Sequence, residues 1–455
     1  MTIRIKRPIL GTAMILAGLM GSTFFAQAED LKEAMTTAYV NNPSLGAARA
    51  GQRVTDETVN QATSGWRPTI MGSGSWSRQD NQRAGSFLSA AVTKPKSLGI
   101  SIEQPVFRSF QTVNGTREAR KLAEAGRAQL MNTEQQIFMA TVTSYSDVIR
   151  DEAFLEFTTN NVIALKRQLQ ASEDRFEVGE ITRTDVAQSR ARLSRAQSEK
   201  INAEAILTAS RAAFRRVVGN EPGTLDRDII IPALPASEEA AYELASRNHP
   251  VILAANASES AANYAVKKQY GGLGPSLTVG ASYQRSWDSF LPGDKTTAKT
   301  IQANITVPIY QAGVQASVVR QAKQRRSQFR MEAIAAEREI QELVRNAWES
   351  YREASARITS TLVQLEANEI ALEGVRQEAD VGSRTILDVL DAEQELLDAR
   401  VNNARAVRDR TVSAFNLLAT IGQLNAKQLG LDVAIYDAKG KSDDTEWQIY
   451  GFRTE

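Results

Sequence analysis

Two stretches of this sequence, residues 178–188 and 381–391, share one helix–turn–helix signal. In each, a glycine (Gly179 or Gly382) ends a long helical pattern, a threonine follows three positions later, and an Asp three positions after that. Glycine often ends a helix in the left-handed conformation, and a Thr with an acidic residue three positions on forms a capping box. Both stretches are therefore predicted to be tight tips, where one long helix ends and the next begins.

The spacing of the tips recurs among the prolines. Pro105 and Pro308 are 203 positions apart (308 − 105), as are the tip glycines, and Pro43 and Pro250 are 207 apart (250 − 43). Such repeated spacing indicates an internally duplicated unit. The first repeat is predicted at residues 29–219 and contains a helix, a β-hairpin and a long helix pair. A linker or equatorial segment follows at 220–237, and the second repeat at 238–422. Residues 423–455 are predicted to be a C-terminal equatorial segment with a flexible tail.

Residues 1–28 are predicted to be a secretory signal peptide. Basic residues within 4–7 precede an apolar run at 9–25, and the small residues at 26–28 suit cleavage before Glu29. No later apolar run in the sequence reaches the roughly 18 residues that a transmembrane helix needs. We therefore expect an exported protein, and any membrane that it spans must be spanned by strands.

The composition argues against most enzyme chemistry. The sequence contains no Cys and a single His, which excludes disulfides, a lipidated N-terminal Cys, thiolate or His-pair metal sites, and Cys- or His-based catalysis. Lys and Arg total 54 against 53 for Asp and Glu, so no bulk charge favours nucleic acid. His249 precedes Pro250 and is expected to start a helix. We expect no catalysis, no cofactor and no metal.

Four short segments alternate strictly between apolar and small polar residues. Period two over roughly ten residues, with one apolar face, is typical of a transmembrane β-strand. The segments are residues 66–77, 97–106, 276–283 and 300–309, and the polar stretches at 79–94 and 285–297 are predicted surface loops. A hairpin at the edge of a soluble core is the alternative.

The tract at 113–178 and its counterpart in the second repeat lack proline, and long helices are predicted there. At about 1.5 Å per residue, such a helix reaches on the order of 100 Å. In the last helix a coiled-coil-like seam recurs every seven positions, at Leu390, Leu397, Ala404, Thr411 and Leu418. The predicted fold class is mainly α with a β-barrel contribution, an internally duplicated protomer of long coiled-coil helices plus four transmembrane strands.

Four strands cannot close a barrel, and open strand edges are not tolerated in lipid. Two protomers would supply eight strands, whose interior is filled by side chains, whereas three would supply twelve, enough for a lumen. A homotrimer is therefore the smallest assembly expected to conduct. It would have a 12-stranded β-barrel and a long periplasmic α-barrel.

Such an assembly would bring acidic tip residues together around one axis. Asp388 and Asp185 also have a local explanation as helix-start residues. Asp391 is harder to explain locally, because it lies one turn after Asp388, where like charges repel, and its counterpart is Gln188. A ring of such carboxylates at a constriction selects cations and can close a pore.

The signal peptide, the duplicated layout and the two tips, including the run VGSRTILDVLDA at 381–392, resemble the TolC family of outer-membrane efflux and type I secretion channels. The resemblance covers essentially the whole mature chain. It implies a trimeric exit duct in the cell outer membrane with a long periplasmic extension. It also implies a periplasmic adaptor (membrane fusion protein) and a proton- or ATP-driven inner-membrane pump, with drugs or secreted proteins as cargo.

The resemblance further implies roles for residues at the tips. The implied gate ring is Asp388 and Asp391, the implied closing links are Arg384, Asp185, Thr184 and Gln168, and adaptor docking is expected near Gly179 and Gly382. Ala379 stands where a Tyr of the closing network is expected, and Arg376 where an acidic partner of the Gln is expected. The gate is therefore expected to rely on fewer links, centred on Arg384 and an Asp185 of a neighbouring tip. A free surface Arg384 is the alternative.

These observations favour a passive export duct that performs no chemistry. A periplasmic coiled-coil scaffold or adaptor without a pore is the main alternative, and it would stay soluble without detergent. An exported hydrolase would need a catalytic constellation, for which the sequence offers no candidates.

Overall fold

A computed structural model describes residues 29–81, 91–289 and 293–440. The predicted signal peptide and residues 441–455 of the predicted tail lie outside the described residues, as do parts of the two predicted surface loops, 82–90 and 290–292. Within the described ranges, no helix combines the length and the apolar character that crossing a membrane requires.

Each half of the chain runs through two helices, a β-hairpin and two longer helices. The first half contains α1 (Leu31–Asn41), α2 (Pro43–Thr63), β1 (Thr69–Trp76), β2 (Gln79–Asn81), β3 (Ala91–Thr93), β4 (Lys96–Arg108), α3 (Gln111–Glu177) and α4 (Arg183–Val218). The second half contains α5 (Glu238–Asn248), α6 (Pro250–Gly271), β5 (Ser276–Trp287), β6 (Lys295–Thr306), α7 (Val314–Asp380) and α8 (Ile386–Thr420). Apart from the short β2–β3 pair and a 3-10 turn at residues 64–66, both halves have the same order of described elements.

The longest helices, α3 and α7, have 67 residues each, which corresponds to about 100 Å at 1.5 Å per residue. The prediction of long helices is confirmed. Residues that favour helix, such as Ala, Glu, Gln and Arg, fill these tracts, and no Pro interrupts them. Each long helix packs along the helix that follows it, and α3 also packs along α8, which joins the two helical hairpins.

Prolines open α2 and α6, because the missing N–H of a proline would have no partner in the first helical turn. His249 caps α6, and its Nδ1 accepts a hydrogen bond from Val251 N at 3.2 Å. Burial lowers the pKa of His249 to about 4, so this cap is neutral at neutral pH. The expectation of a helix-start histidine is confirmed.

The main hydrophobic core lies at mid-length of α3 and α7, where α1, α5 and the segment after α8 pack around them. Tyr145 is fully buried there, and its hydroxyl donates to the carbonyl of Glu29 at 2.7 Å and to that of Asp226 at 2.9 Å. These bonds tie the start of the described chain and the predicted linker to α3. Leu424 and Leu431 bring the C-terminal segment into the same core.

Four strands form one antiparallel sheet in the order β1–β4–β5–β6. Its register places Ile70 opposite Ile102, and Ile100 opposite Tyr283. Because opposed residues lie on the same face of a sheet, one face is largely apolar and the other carries mainly Ser, Thr, Gln and Gly. The predicted alternation is confirmed.

The structure corrects the ends of two predicted strands. β1 starts at Thr69 instead of 66, because residues 64–66 form a 3-10 turn. β6 ends at Thr306 instead of 309, two residues before Pro308, which has no N–H for a ladder bond.

The predicted loops at 79–94 and 285–297 are too long. β2 and β3 pair inside the first, and β5 and β6 continue into the second as far as Trp287 and Lys295. Polar side chains at these positions predict loops, but the backbone N–H and C=O groups find partners across the hairpin, and that pairing sets the strand ends.

Candidate functional site

Both helix tips have the predicted turn. Gly179 and Gly382 adopt φ values of 80° and 79°, in the left-handed region that is costly for a residue with a side chain. The residue after each glycine donates backwards across the turn, from Glu180 N to Arg175 O at 3.0 Å in the first tip. This pattern is the Schellman motif, which satisfies carbonyls at the end of a helix.

Asp185 and Asp388 complete capping boxes at the starts of α4 and α8. Asp388 Oδ2 accepts from Thr385 N at 2.9 Å and from Thr385 Oγ1 at 2.8 Å, and Asp185 does the same with Thr182 at 2.9 and 2.7 Å. The Thr182 hydroxyl is the main cause that lowers the pKa of Asp185, and the Thr385 N–H is the main cause that lowers the pKa of Asp388. Within one protomer both residues are therefore ionised helix caps.

Asp391 lies one turn inside α8, beyond the cap. Arg192, on α4, donates to Asp391 Oδ1 at 2.5 Å, and the Asp391 side chain is 56% exposed. A longer contact of 3.8 Å between Arg175 Nη2 and Asp380 Oδ1 joins the ends of α3 and α7. Ion pairs therefore link the two tips of one protomer side by side, and the Asp391 charge has a cation next to it.

Arg384 lies beside Glu378 of its own tip, with Nε donating to Oε2 at 2.8 Å, and both side chains are about half exposed. This pair spans the Gly382 turn. The predicted link joins Arg384 to Asp185 of a neighbouring tip. Within one protomer the partner of Arg384 is Glu378 instead, and between copies the link stays a prediction. Arg384 would have to leave or share Glu378 to form it.

The other predicted link residues lie apart from each other. Thr184 is exposed in the first turn of α4, whereas Gln168 is half-buried on α3. Arg376, which stands where the resemblance implies an acid, donates to Glu393 at 2.8 Å. Glu393 is only 9% exposed, so this pair fixes α7 against α8 inside one hairpin.

The structure does not link the predicted gate residues directly. In the part of the chain that it describes, no side-chain hydrogen bond or ion pair joins any two of Gln168, Thr184, Asp185, Arg384, Asp388 and Asp391. Arg384 is nevertheless close enough to Asp388 to contribute to lowering the pKa of that carboxyl.

The sequence alone does not predict three of the ion-pair partners at the tips, Arg192, Glu378 and Glu393. The sequence does contain a signal for Arg192. The matching position in the second half, 203 residues later, is Glu395 (395 − 192), so the two halves carry opposite charges there. Which of these charges meet depends on how the hairpins pack, and that information is tertiary.

The family model described as "Outer membrane efflux protein" matches residues 34–220 and 241–423. The two matched ranges account for most of the chain. They follow the two halves that share one order of elements.

Known proteins resemble the chain over nearly its whole length. The outer membrane efflux protein BepC of Brucella suis is 33% identical over 450 residues, which cover 98% of this chain and 97% of that protein. The outer membrane protein TolC of Vibrio cholerae is 28% identical over 433 residues, 90% of this chain and 95% of that protein. The solved CmeC outer membrane channel of Campylobacter jejuni has a TM-score of 0.77 at 16% identity, over 92% of this chain and 89% of that one, a likeness of fold alone.

Proposed function

Because the chain belongs to the outer membrane efflux protein family, we propose that it is the exit duct of a tripartite efflux or secretion system. Three copies close their sheets into one twelve-stranded β-barrel in the cell outer membrane. Their helical hairpins form a long periplasmic tube, through which cargo passes without catalysis. Residues 29–219 and 238–422 are proposed to be the duplicated halves, so each copy contributes two similar segments to the tube wall.

One observation supports the barrel above all: the sheet has two free edges. β1 and β6 are the outer strands of the described sheet, so each has one edge without a neighbouring strand. In lipid such an edge leaves N–H and C=O groups without hydrogen bonds, which strongly favours closure between copies. Pairing β6 of one copy with β1 of the next would satisfy both edges.

The two faces of the sheet suit lipid and water respectively. On the apolar face Ile301 is 86% exposed and Leu98 is 60% exposed, and soluble proteins rarely leave a continuous apolar surface of this kind uncovered. The opposite face carries Ser101, Ser282 and Gln302, which suit a water-filled lumen.

Aromatic side chains lie at both ends of the sheet. Trp76 and Trp287 end strands on the side away from the helices, and Trp66 and Phe110 lie where the chain passes between sheet and helices. β5 and β6 have 12 residues each. At about 3.4 Å per residue and a tilt of about 45°, they span on the order of 25–30 Å, which matches an apolar band between two aromatic girdles.

At the other end of the tube, Asp388 and Asp391 of the three copies are proposed to ring the periplasmic entrance. A ring of carboxylates attracts cations and excludes anions. Because Arg192 pairs with Asp391, Asp388 would supply most of the uncompensated negative charge of the ring. The capping box supports this role, since it keeps Asp388 ionised and fixes its position.

Links between copies are proposed to hold the entrance closed. Arg384 would contact Asp185 of the neighbouring copy, with Thr184 and Gln168 adding polar contacts. Supporting this, the Arg384 guanidinium and the Thr184 side chain are both exposed at the tips, where a second copy could reach them.

A periplasmic adaptor and an inner-membrane pump are the proposed partners. The adaptor would dock at the tips, near Gly179 and Gly382, because the tips lie at the end of the helices opposite the sheet. Pump and adaptor would then deliver cargo directly to the entrance.

The test of the barrel compares lysine at two neighbouring positions of β6. Ile301→Lys places a charge on the proposed lipid face, at a cost of about 2–4 kcal/mol near the bilayer midplane. Gln302→Lys places the same charge in the proposed lumen. We expect I301K to reduce the amount of trimer in outer-membrane fractions, and Q302K to assemble normally but conduct with less preference for cations. Equal behaviour of the two variants, or a monomer soluble without detergent, would overturn the barrel and favour the periplasmic scaffold.

A further inference from the structure

Four cations interrupt the apolar face of the sheet at the end away from the helices. They are Lys96 at the start of β4, Arg285 near the end of β5, and Lys295 and Lys299 on β6. All four side chains are exposed. We call these four residues the basic cluster.

The register of the strands places Arg285 at the centre of the basic cluster. Lys96 and Lys295 both oppose Trp287, two residues beyond Arg285, and Lys299 opposes Tyr283, two residues before it. Each lysine is thus a diagonal neighbour of Arg285, at roughly 7–8 Å on the same face. The Arg285 guanidinium also lies over the Trp287 ring, 5.3 Å from its centre.

On the face of the basic cluster, none of the strand residues that the structure describes is Asp or Glu. Two acids of the adjoining turn, Asp288 and Asp294, line the same depression as Lys96 and Lys295 and offset part of their charge. Their carboxylates also hold the turn, since Asp288 Oδ1 accepts from Gly293 N at 2.6 Å and Asp294 Oδ1 accepts from Ser289 N at 2.7 Å. Arg285 and Lys299 lie farther from this turn along their strands. Like charges on neighbouring strands repel each other, so the cluster would be stabilised by an anion.

A shallow apolar groove lies beside the basic cluster. Its floor is glycine on β1, because Gly72 and Gly74 lie on the same face in the rows of Ile100 and Leu98. A Cβ at Gly72 would meet no atom within 4 Å, so the space above it is open. Tyr283, Arg285 and Trp287 border the groove together with these aliphatic side chains.

We propose that the basic cluster and this groove bind a lipid with an anionic phosphate headgroup. The Arg285 guanidinium binds the phosphate oxygens in a bidentate manner, the lysines add charge, and an acyl chain lies in the groove. Long cationic side chains reach the headgroup level while their methylenes stay against apolar surface. The inference rests on the proposed function, because this face meets lipid only if the sheet is part of a membrane barrel.

The position of the cluster identifies the leaflet. The cluster is at the end of the strands farthest from the helices, and the helices are proposed to be periplasmic. The phosphate lipid therefore belongs to the outer leaflet, where the cations would anchor the barrel at a fixed depth.

The test uses native mass spectrometry of the detergent-purified, full-length trimer. Phosphatidic acid and phosphatidylcholine with identical acyl chains are offered at equal concentration, so the two probes differ in the headgroup alone: an uncompensated anionic phosphate against a phosphate esterified to a choline cation. We expect the unsubstituted protein to retain phosphatidic acid preferentially and to lose that preference as NaCl rises from 0.05 to 0.5 M. The reason is that the Debye length, about 10 Å at 0.1 M, becomes shorter as salt rises, so attraction between exposed charges weakens.

Two matched double variants locate the site. Arg285→Gln/Lys299→Gln should weaken phosphatidic acid binding roughly tenfold or more. Arg215→Gln/Arg247→Gln removes the same charge from exposed positions at the ends of α4 and α5 and should leave binding unchanged. Equal retention of both lipids by the unsubstituted protein, a preference that salt does not change, or equal losses in both double variants would overturn the inference.

Conductance in a phosphatidylcholine bilayer separates this inference from the proposed function. A protein that conducts but shows no preference for phosphatidic acid refutes the lipid site alone. A protein that neither inserts nor conducts refutes the proposed function, and the lipid site with it.

Discussion

Arg192 and Asp391 form an ion pair between α4 and α8, so each protomer places a cation of its own beside one of the two carboxylates proposed for the entrance. The duplication does not provide a second, reciprocal ion pair. The position matching Asp391 in the first half is Gln188, and the position matching Arg192 in the second half is Glu395. The charge difference between the halves is thus used to join their tips.

Removing that cation should make the channel more selective for cations. Arg192→Gln leaves Asp391 uncompensated, so we expect a reversal potential in a KCl gradient that is shifted toward the potassium potential. Arg195→Gln is the matched control, because Arg195 pairs with Glu199 on its own helix. Identical selectivity of R192Q and R195Q would contradict this role, and Asp391→Asn should cancel the effect of R192Q.

Arg384→Ala should raise the closed-state conductance, because it removes the proposed link between copies. Glu378→Gln releases Arg384 from its partner within the tip, so it should leave the conductance low or reduce it further. Single-channel recordings of both variants decide between the two contacts. If E378Q and R384A open the channel equally, the bond within the tip matters and the link to Asp185 does not.

Replacing a glycine by alanine should lower local stability at Gly382, in the tip, and raise it at Gly374, within α7. Gly382→Ala forces a side chain into φ 79° and should destabilise the tip by about 1–2 kcal/mol. Gly374→Ala, inside α7 with open space around it, should stabilise the helix by about 0.5–1 kcal/mol. Amide hydrogen exchange of residues 370–392 measures both. Stabilisation by G382A would mean that the left-handed turn is absent.

The capping carboxylates should make the tips sensitive to strong acid only. The pKa values of Asp185 and Asp388 are lower in the folded state, so their stabilisation is complete above the unfolded value of about 3.9 and is lost as pH falls through the folded values. Exchange protection at the starts of α4 and α8, corrected for intrinsic rates, should stay constant from pH 7 to 5 and fall below about pH 4. If exchange protection already fell between pH 7 and 5, a titrating group other than Asp185 and Asp388 would be responsible.

Tyr145→Phe should lower stability, because it removes the hydroxyl that donates to the carbonyls of Glu29 and Asp226. Asp226 O loses this donor, whereas Glu29 O keeps its bond from Asp226 N at 3.1 Å. Losing a partly buried hydrogen bond of this kind costs about 0.5–1.5 kcal/mol. Tyr242→Phe, whose hydroxyl makes an exposed contact of 3.5 Å to Glu337, should change stability by less than about 0.5 kcal/mol. Thermal unfolding midpoints measure both, and equal midpoints would show that the two Tyr145 bonds contribute nothing.

The elements that the sequence predicts well are those whose signal is local. The tips follow from a glycine, a threonine and an acid at fixed spacing, and the four strands follow from period two. Helices α1 and α5 are not anticipated, because they are short and a single capping residue, Asn42 or His249, separates each from the next helix. The pair β2–β3 is missed because each strand has only three residues, those of β2 are all polar, and the pairing is set by backbone hydrogen bonds.

The ion pairs of the tips could not be predicted, because they depend on tertiary packing. The sequence predicts Asp391 as part of a ring of carboxylates, and only the packing of α4 beside α8 identifies its partner, Arg192. Arg376 follows the same pattern: it departs from the family pattern, and its partner, the nearly buried Glu393, lies on the facing helix of the hairpin.

The most direct test of the central claim is single-channel recording of the detergent-purified protein in a planar bilayer, beside an Asp388→Ala/Asp391→Ala variant. If the chain forms a pore with an acidic entrance, we expect a small, cation-selective conductance that loses its selectivity in the variant. A silent bilayer, from protein that is monomeric and soluble without detergent, would contradict the pore.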